Sequence, residues 1–289
     1  MNTEFLALSS QLSALYSKGE ARAISFLLFE EEFGVSRTDI YADKVRQFSE
    51  DERKRLFDMS LLLLKGVPVQ YVLGRSRFYG HTFRVSSDVL IPRPETEELV
   101  DWAVNELKQR VDETPLHILD AGTGSGCIAI SLQLALPHAK VWAWDVSEKA
   151  LCVARWNAQE LKAEVNFQQV DMLKPLASLQ KFDMIVSNPP YICQSEEKEM
   201  EKNVLENEPH TALFVPDTEP LLFYRALCEH AVRLLKPNGV LMAEINRAYG
   251  NETMALFRSY GLCDVTLRKD DFGNDRMLLG RFQPTHMRG

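Results

Sequence analysis

A proline-stiffened corner, Asn188-Pro189-Pro190-Tyr191, follows directly on the apolar segment 182–187. Consecutive prolines restrict the backbone, so the side-chain oxygen of Asn188 and the carbonyl oxygen of Pro189 can be held as two rigid acceptors. Together these acceptors match the two hydrogens of a planar NH2 group, on which the ring of Tyr191 can stack. The corner therefore predicts a binding site for a flat amide or aryl amine. The alternative is an Asn-Pro turn that only ends a strand.

A glycine-rich loop lies upstream, where residues 120–126 read Asp-Ala-Gly-Thr-Gly-Ser-Gly. A strand pattern changes to a helix pattern here, and glycines at such a turn let a ligand approach the backbone closely. The spacing differs from the G-x-G-x-x-G of dinucleotide-binding proteins, and Asp120 would repel a pyrophosphate but suit a cationic amino-acid ligand. A tight turn without a ligand is the alternative. We expect these loop residues to contact a cofactor: Gly122, Thr123, Gly124, Ser125 and Gly126.

Acidic residues close the next two predicted strands. Asp145 stands 19 residues after Gly126, where a carboxylate can accept hydrogen bonds from both ribose hydroxyls of an adenosine. Asp171 and Met172 close the third strand, where a side chain can hydrogen-bond to adenine while Met172 packs on its face. Capping of the following helix is the alternative for Asp145. Acids at successive strand ends predict one nucleoside-sized crevice at the carboxyl edge of the sheet.

The corner and the crevice together favour methyl transfer to a planar nitrogen. The lone pair of an amide or aryl amine is delocalised, so two acceptors that draw the nitrogen towards tetrahedral geometry stabilise the charge developing on it. A sulfonium is already a good leaving group, so positioning should matter more than a dedicated base. We take Asn188, Pro189 and Tyr191 as the catalytic residues. The whole corner, with Pro190, is the expected substrate site, and Asn188 is also an expected cofactor contact.

Strands alternate with helices from residue 116 onwards, which predicts an α/β fold with a doubly wound, mainly parallel, seven-stranded sheet. The last two strands, joined by a Gly273-Asn274 turn, are expected to form an antiparallel hairpin at one edge. The expected strands are 116–120, 140–145, 165–171, 182–187, 239–245, 263–268 and 276–282. The expected helices of this domain are 95–111, 126–136, 148–161, 219–236 and 248–260.

The N-terminal part carries apolar residues at helical spacing, with one helix ending at Gly34 and another beginning at a capping box of Ser49 and Glu52. This pattern predicts a small helical bundle, which is either a reader of a partner or a packing appendage. The expected domains are the bundle at 1–75, a hairpin linker at 76–90 and the catalytic-looking domain at 91–289.

Composition and charge reduce the number of protein classes to which this chain could belong. The 289-residue chain is 45% apolar and 26% charged, which is ordinary for a globular protein. Its net charge of -8 disfavours a protein that holds long stretches of nucleic-acid backbone. The 5 cysteines lack the paired spacing of a zinc or redox site, so no metal is expected. Neither a membrane-length apolar run nor the pattern of a secretory signal is present, so we expect a cytoplasmic protein.

The order of these motifs resembles that of class I S-adenosylmethionine-dependent methyltransferases acting on planar amino nitrogens. More closely, the helical N-terminal segment, residues 91–97 (Ile-Pro-Arg-Pro-Glu-Thr-Glu) and the terminal Asn274-Asp275-Arg276 resemble the release factor glutamine methyltransferase (HemK/PrmC) family over nearly the full length. The resemblance implies S-adenosylmethionine as methyl donor. It also implies that the target is the amide nitrogen, N5, of the glutamine in the Gly-Gly-Gln loop of class I peptide chain release factors.

The resemblance also assigns roles to residues. The glycine loop 122–126 would line the methionine part of the cofactor, Asp145 the ribose and Met172 the adenine, although many relatives have an aromatic residue at the position of Met172. The corner would hold the glutamine amide. The helical bundle would bind the release factor, and we expect a monomer that binds neither DNA nor a membrane directly.

Two other classes of function stay open. A DNA adenine-N6 methyltransferase uses a similar corner for a similar planar NH2 group, but it would need a basic target-recognition region that the net charge of -8 does not favour. A non-catalytic cofactor-binding module would have no evident use for the intact corner.

Three further features of the sequence each allow a functional and a structural interpretation. The acidic stretch 192–219 is long for a loop and predicts a lid or a docking surface for a basic protein, or else a solvated acidic helix. Arg93 is either at the mouth of the site or an ordinary surface residue. Glu244, near the end of the strand that follows Gly239, either belongs to the site or caps local backbone.

Overall fold

A computed structural model describes residues 3–42, 48–109, 115–175 and 180–283. The helices in chain order are α1 (Thr3–Leu12), α2 (Lys18–Phe33), α3 (Arg37–Tyr41), α4 (Glu50–Leu64), α5 (Val69–Leu73), α6 (Pro94–Lys108), α7 (Cys127–Ala135), α8 (Glu148–Leu161), α9 (Lys202–Asn207), α10 (Leu222–Leu234) and α11 (Gly250–Ser259). The strands are β1 (Arg75–Phe78), β2 (His81–Arg84), β3 (His117–Ala121), β4 (Lys140–Asp145), β5 (Val165–Gln169), β6 (Phe182–Ser187), β7 (Ile192–Cys193), β8 (Phe214–Val215), β9 (Leu235–Glu244), β10 (Leu262–Lys269) and β11 (Asp275–Phe282).

The chain forms two compact units that are not contiguous in sequence. They comprise Met1–Ser76 with Met200–Asn207, and Arg77–Glu199 with Glu208–Gly289. Helix α9 thus belongs to the helical unit although more than a hundred residues separate it from α5. The expected domains are contiguous in sequence, and no local pattern indicates that residues 200–207 belong to the helical unit.

The helical unit has an apolar core with well-defined helix ends. Its fully buried side chains include Phe5, Leu12, Leu28, Phe29, Ile40 and Leu63. The backbone N–H of Glu52 donates to the Ser49 hydroxyl at 3.2 Å, and the Ser49 N–H donates to the Glu52 carboxylate at 2.9 Å. Gly34 ends α2 with φ 64. Both predicted helix boundaries are confirmed, whereas α3 and α5 are too short to show a helical period.

The other unit is built on a seven-stranded sheet with the order β10-β11-β9-β6-β3-β4-β5. The strands from β9 to β5 run parallel, and β11 is antiparallel to both of its neighbours. The predicted mainly parallel sheet with an antiparallel hairpin at one edge is therefore confirmed. Strands β1 and β2 pair separately as a two-stranded hairpin, the feature expected for the linker 76–90.

Alternate residues of the central strands pack on opposite faces of the sheet. Ile118 and Val186 join the apolar cluster formed with α6 and α7, whereas Leu119 and Ile185 join the cluster formed with α10 and α11. Because both faces are covered, the middle of these strands is continuously apolar, as in residues 184–186 of β6 and 240–243 of β9. Their carboxyl ends are left as the accessible edge.

A few element boundaries differ from the sequence expectation. β5 ends at Gln169 instead of 171, because the chain turns at Asp171, whose carboxylate accepts the backbone N–H of Leu173 at 3.0 Å. α10 ends at Leu234 and β9 begins directly after it, because the residue before Pro237 is disfavoured in a helix. The predicted end of α6 at Val111 lies outside the described residues.

Gly126 is the position at which the site's loop is least tolerant of a side chain. It has φ 83, and an added Cβ would lie 2.9 Å from Ile130 Cδ1 and 3.1 Å from Ala154 Cβ. We expect Gly126→Ala to lower the free energy of unfolding by about 3–5 kcal/mol, because left-handed strain adds to overpacking. Urea unfolding followed by circular dichroism measures the loss.

Gly273→Ala is the matched control. Gly273 has nearly the same φ of 84, but nothing lies within 4 Å of an added Cβ. Its loss should therefore be about 1–2 kcal/mol from backbone strain alone. Equal losses in the two variants would contradict close packing at Gly126.

Candidate functional site

A cavity of about 240 Å³ opens at the carboxyl edge of the sheet, where β3, β4 and β6 end. Most of the site residues expected from sequence line it: Gly122, Thr123, Gly124, Ser125, Asp145, Asp171, Met172, Asn188 and Pro190. Gly126, Pro189 and Tyr191 do not appear in its lining. The structure thus brings the glycine loop, the strand-end acids and Asn188 around one space.

The glycine loop is tied to the neighbouring strand and leaves its backbone accessible. The N–H groups of Gly122 and Thr123 both donate to the carbonyl oxygen of Trp144 at 2.8 Å. Gly124 has φ 55 and nothing within 4 Å of an added Cβ, so the space beside it is open. A Cβ on Gly122 would lie 3.2 Å from Met172 Cε. Glycine at these positions keeps the loop backbone available to a ligand.

Asp120 is fully buried beside the loop and fixes it. Its Oδ2 accepts hydrogen bonds from the Thr123 hydroxyl at 2.6 Å and from the Ala129 N–H at 3.1 Å. Its Oδ1 has no hydrogen-bond partner within the described part of the chain. Burial raises the pKa of this carboxyl to about 7, although both hydrogen bonds act to lower it.

Asp145 links the loop to the start of α8. Its Oδ2 accepts the N–H of Gly124 at 2.8 Å, and its Oδ1 accepts the N–H of Ser147 at 2.9 Å. The helix cap itself is Ser147, whose hydroxyl accepts the N–H of Ala150 at 3.2 Å. Each Asp145 oxygen keeps a second lone pair with which to accept from a ligand hydroxyl.

Asp171 and Met172, which follow β5, also line the cavity. Asp171 accepts from Lys174 Nζ at 3.1 Å and from the Leu173 N–H at 3.0 Å, and these partners hold its pKa below the ordinary value. Met172 is almost buried, and its carbonyl oxygen lies 2.8 Å from His230 Nε2. The backbone of Met172 is therefore anchored, and its side chain lies next to the glycine loop at Gly122.

The corner after β6 is held by side chains from distant parts of the unit. Asn188 Nδ2 donates to Thr96 Oγ1 at 3.0 Å. Tyr191 donates its hydroxyl to Glu244 Oε1 at 2.9 Å, and its carbonyl oxygen accepts from Asn246 Nδ2 at 3.1 Å. Burial, followed by the charge of Glu244, raises the pKa of Tyr191 well above its ordinary value. Pro189 is buried, and Pro190 reaches the cavity wall.

Arg93 lies in the cavity wall, paired with an acid from the stretch 192–219. Its Nη2 donates to Glu208 Oε1 at 2.6 Å, and Glu208 Oε2 accepts the Ile91 N–H at 3.2 Å. Glu196 is likewise engaged, because it accepts from Asn246 Nδ2 at 2.9 Å. At least two acids of this stretch therefore hold the protein together instead of forming a uniformly solvated face.

Sequence reasoning missed Thr96 altogether and left Glu244 undecided. Thr96 lines the cavity, and its hydroxyl donates to Glu244 Oε2 at 2.7 Å. Glu244 accepts from two distant side chains and does not cap local backbone. Burial raises the pKa of Glu244, against the effect of its donors and of Arg276. The only sequence signal for Thr96 is its place in the run 91–97, where a threonine in the first turn of a helix is unremarkable.

Within residues 3–42, 48–109, 115–175 and 180–283, no group of 3 or more His, Cys, Asp or Glu side chains could hold a metal ion. None of the helices there is both long enough and apolar enough to cross a membrane.

The fold and the cavity define a class I methyltransferase domain. Residues 96–213 match the family model described as "Methyltransferase small domain". A human methyltransferase 10 domain containing protein has the same fold, with a TM-score of 0.51 and 17% identity over 83% of this chain and 98% of its own. A 16S rRNA methyltransferase from Thermus thermophilus gives a TM-score of 0.51 at 15% identity over 72% of this chain and 50% of its own.

More specific matches identify the family. Residues 7–74 match the "PrmC N-terminal domain" model. The release factor glutamine methyltransferase of Bacteroides thetaiotaomicron is 45% identical over 96% of this chain and 99% of its own length. The protein of that name from Flavobacterium psychrophilum is 43% identical over 94% of this chain and 95% of its own. The chain belongs to the release factor glutamine methyltransferase family.

The buried Asp120 makes folding stability depend on pH. Its pKa rises from an ordinary value of 3.8 to about 7 in the fold, so the folded state binds the proton more tightly than the unfolded chain. The carboxyl therefore destabilises the ligand-free protein as pH rises from ~4 through 7, by on the order of 4 kcal/mol. Relative to the Asp120→Asn variant, which cannot ionise there, the wild type should lose unfolding free energy over this range. Urea titrations at several pH values measure the difference, and parallel pH curves would contradict it.

Proposed function

We propose that this protein transfers a methyl group from S-adenosylmethionine to the side-chain amide nitrogen, N5, of the glutamine in the Gly-Gly-Gln loop of class I peptide chain release factors. This reaction would modulate translation termination. The proposal rests on the observation that Asn188 lines the same cavity as the glycine loop and Asp145. A nitrogen bound at the corner would lie beside a cofactor bound at the loop. The names of the relatives, release factor glutamine methyltransferases, support this choice of substrate.

The cavity residues fit S-adenosylmethionine, which supplies a methyl group on a positively charged sulfonium when bound. Within the described residues, Oδ1 of the buried Asp120 carboxyl has no hydrogen-bond partner, and a cationic ligand beside the loop would stabilise the ionised form of this group. The bare backbone of the loop suits the amino-acid part, and the Asp145 carboxylate suits the ribose hydroxyls. The proposed contacts of the cofactor are Gly122, Thr123, Gly124, Ser125, Gly126, Asp145, Asp171, Met172 and Asn188.

The corner would bind the glutamine amide through two acceptors. Because Asn188 Nδ2 is engaged by Thr96, the side-chain atom of Asn188 left for the substrate is the acceptor Oδ1. The carbonyl oxygen of Pro189 is the second acceptor, held by the two prolines. Tyr191, fixed at its hydroxyl by Glu244, would stack on the flat carboxamide.

Methyl transfer would form a bond between the amide nitrogen and the methyl carbon and break the bond between that carbon and sulfur, which keeps the electron pair as a neutral thioether. One proton would leave the methylated nitrogen to water. The substrate N–H groups become more acidic as positive charge develops on the nitrogen. Hydrogen bonds to Asn188 and Pro189 therefore strengthen towards the transition state, which is the condition for catalysis by fixed dipoles. Positioning by the corner takes the place of a dedicated base.

The N-terminal helical part of the chain would recognise the release factor. We propose residues 1–75 as the release-factor-binding domain, 76–90 as a linker and 91–289 as the methyltransferase domain. The match of residues 7–74 to the PrmC N-terminal domain supports this division. The net charge of -8 favours a protein partner over DNA, and we propose a cytoplasmic monomer that needs neither a metal nor a membrane.

The test is transfer of labelled methyl from S-adenosylmethionine to a purified release factor, followed by mass mapping of the product. We expect one methyl group on the loop glutamine. Asn188→Ala should lower kcat at least about a hundredfold, because it removes an acceptor that acts on the developing charge. The dissociation constant for the cofactor should change less than about threefold.

Asn105→Ala is the control, because Asn105 is an exposed amide on α6 whose Nδ2 donates to Asp101 at 3.1 Å. This variant should keep the wild-type kcat. Label appearing in DNA instead of the release factor, or an Asn188→Ala variant as active as the control, would refute the proposal.

A further inference from the structure

A continuous hydrogen-bond network lies behind the corner. Asn188 Nδ2 donates to Thr96 Oγ1 at 3.0 Å, and Thr96 Oγ1 donates to Glu244 Oε2 at 2.7 Å. The other carboxylate oxygen, Oε1, accepts from the Tyr191 hydroxyl at 2.9 Å. Thr96 is 2% exposed and Glu244 is 1% exposed, so water does not compete for these bonds. One buried carboxylate thus connects to both ends of the corner.

The number of protons in the network fixes the orientation of the Asn188 amide. The two hydroxyl donors and the charge of Arg276 favour the ionised form of Glu244, which can only accept, so the single hydroxyl proton of Thr96 points to Glu244. The Thr96 oxygen is then left as an acceptor, and only the NH2 end of the Asn188 amide can satisfy it. The opposite end, Oδ1, is consequently directed away from Thr96. A reversed amide would place two acceptors against each other.

We propose that Thr96 and Glu244 are positioning residues that fix the Asn188 amide with its oxygen towards the substrate and hold the Tyr191 ring by its hydroxyl. This inference rests on the proposed function, because it assigns a purpose to the corner that function requires. The hydrogen bonds from Glu244 through Thr96 to Asn188 form a relay in the sense that they pass on the orientation of the amide; they transfer no proton. Neither residue needs to touch the reacting atoms.

The surroundings of Glu244 argue that the carboxylate is not retained for stability. It receives neutral hydroxyl donors, and the charged groups that act on it are Arg276 from β11 and Glu95 from α6. On the α10 side, the Tyr224 hydroxyl donates to the carbonyl oxygen of Glu244 at 3.2 Å, not to its carboxylate. Arg276 itself pairs with Asp270 at 3.0 Å. A buried charge without a direct ion pair costs stability, so an apolar residue would serve packing better.

Thr96→Val tests the relay, because valine keeps the shape of threonine and removes the hydroxyl. We expect kcat for methylation of the release factor to fall about tenfold to hundredfold, with KM for the release factor and the cofactor dissociation constant within about threefold of wild type. Thr96→Ser, which restores the hydroxyl, should keep kcat within about threefold. Thr253→Val is the matched control, since Thr253 is 0% exposed and its hydroxyl donates to the Tyr249 carbonyl at 2.7 Å, away from the corner.

Glu244→Gln provides an independent variant with the same size and one acceptor oxygen in place of two. Only one of Thr96 and Tyr191 can then keep its donated bond, so we expect kcat to fall about tenfold. The double variant Thr96→Val with Glu244→Gln should lose no more than about threefold beyond the larger single loss, because both act through Asn188. If Thr96→Val is unfolded by circular dichroism at the assay temperature, Glu244→Gln and Thr96→Ser decide the question.

The readouts separate this inference from the proposed function. If the wild type leaves the loop glutamine unmodified, the proposed function fails. The relay is then tested by the side-chain amide resonances of Asn188 in 15N-labelled protein, which should shift in Thr96→Val and not in Thr253→Val. Full kcat in Thr96→Val, a loss in Thr96→Ser as large as in Thr96→Val, or unmoved Asn188 resonances would overturn the inference.

Discussion

The parallel register of β3, β4 and β6 is the constraint on which the rest of the site depends. Asp120 in β3 stands opposite Ala143 in β4 and Val186 in β6, so the three strands end at nearly the same level. The glycine loop, Asp145 and Asn188 are therefore brought to one edge although they are spread over nearly seventy residues of sequence. Ligands of open α/β sheets bind at this edge because the backbone there turns away from the sheet and exposes its polar groups.

The site is organised at the expense of stability. Asp120 and Glu244 are both buried carboxyls with raised pKa values, and among the described residues their hydrogen-bond donors are hydroxyl and N–H groups, not the cation of an ion pair. Such groups are costly in an apolar interior. Asp120 uses its bonds to fix the loop that would hold the cofactor, and Glu244 uses its bonds to fix the corner that would hold the substrate. The two acids thus prepare the two halves of one cavity before any ligand arrives.

The parts of the fold that sequence predicts are those encoded locally. Apolar runs, glycine turns and the capping box of Ser49 depend on neighbours within a few residues, so the sheet, its helices and the loop were predictable. Thr96 and Glu244 are 148 residues apart, and Arg93 and Glu208 are 115 apart. No local pattern reports such pairs, because each partner alone is an ordinary polar residue of a helix, strand or loop. For the same reason, no local pattern in the sequence indicates that α9 belongs to the helical unit.

The most direct measurement is a crystal structure of the protein with a cofactor analogue and a release factor, or a peptide carrying its Gly-Gly-Gln loop. We expect the side-chain amide nitrogen of the glutamine, N5, to lie within about 3.2 Å of both Asn188 Oδ1 and the carbonyl oxygen of Pro189. The nitrogen should also face the sulfur of the analogue across the cavity. A glutamine bound elsewhere, or an Asn188 amide presenting Nδ2 to the substrate, would contradict it.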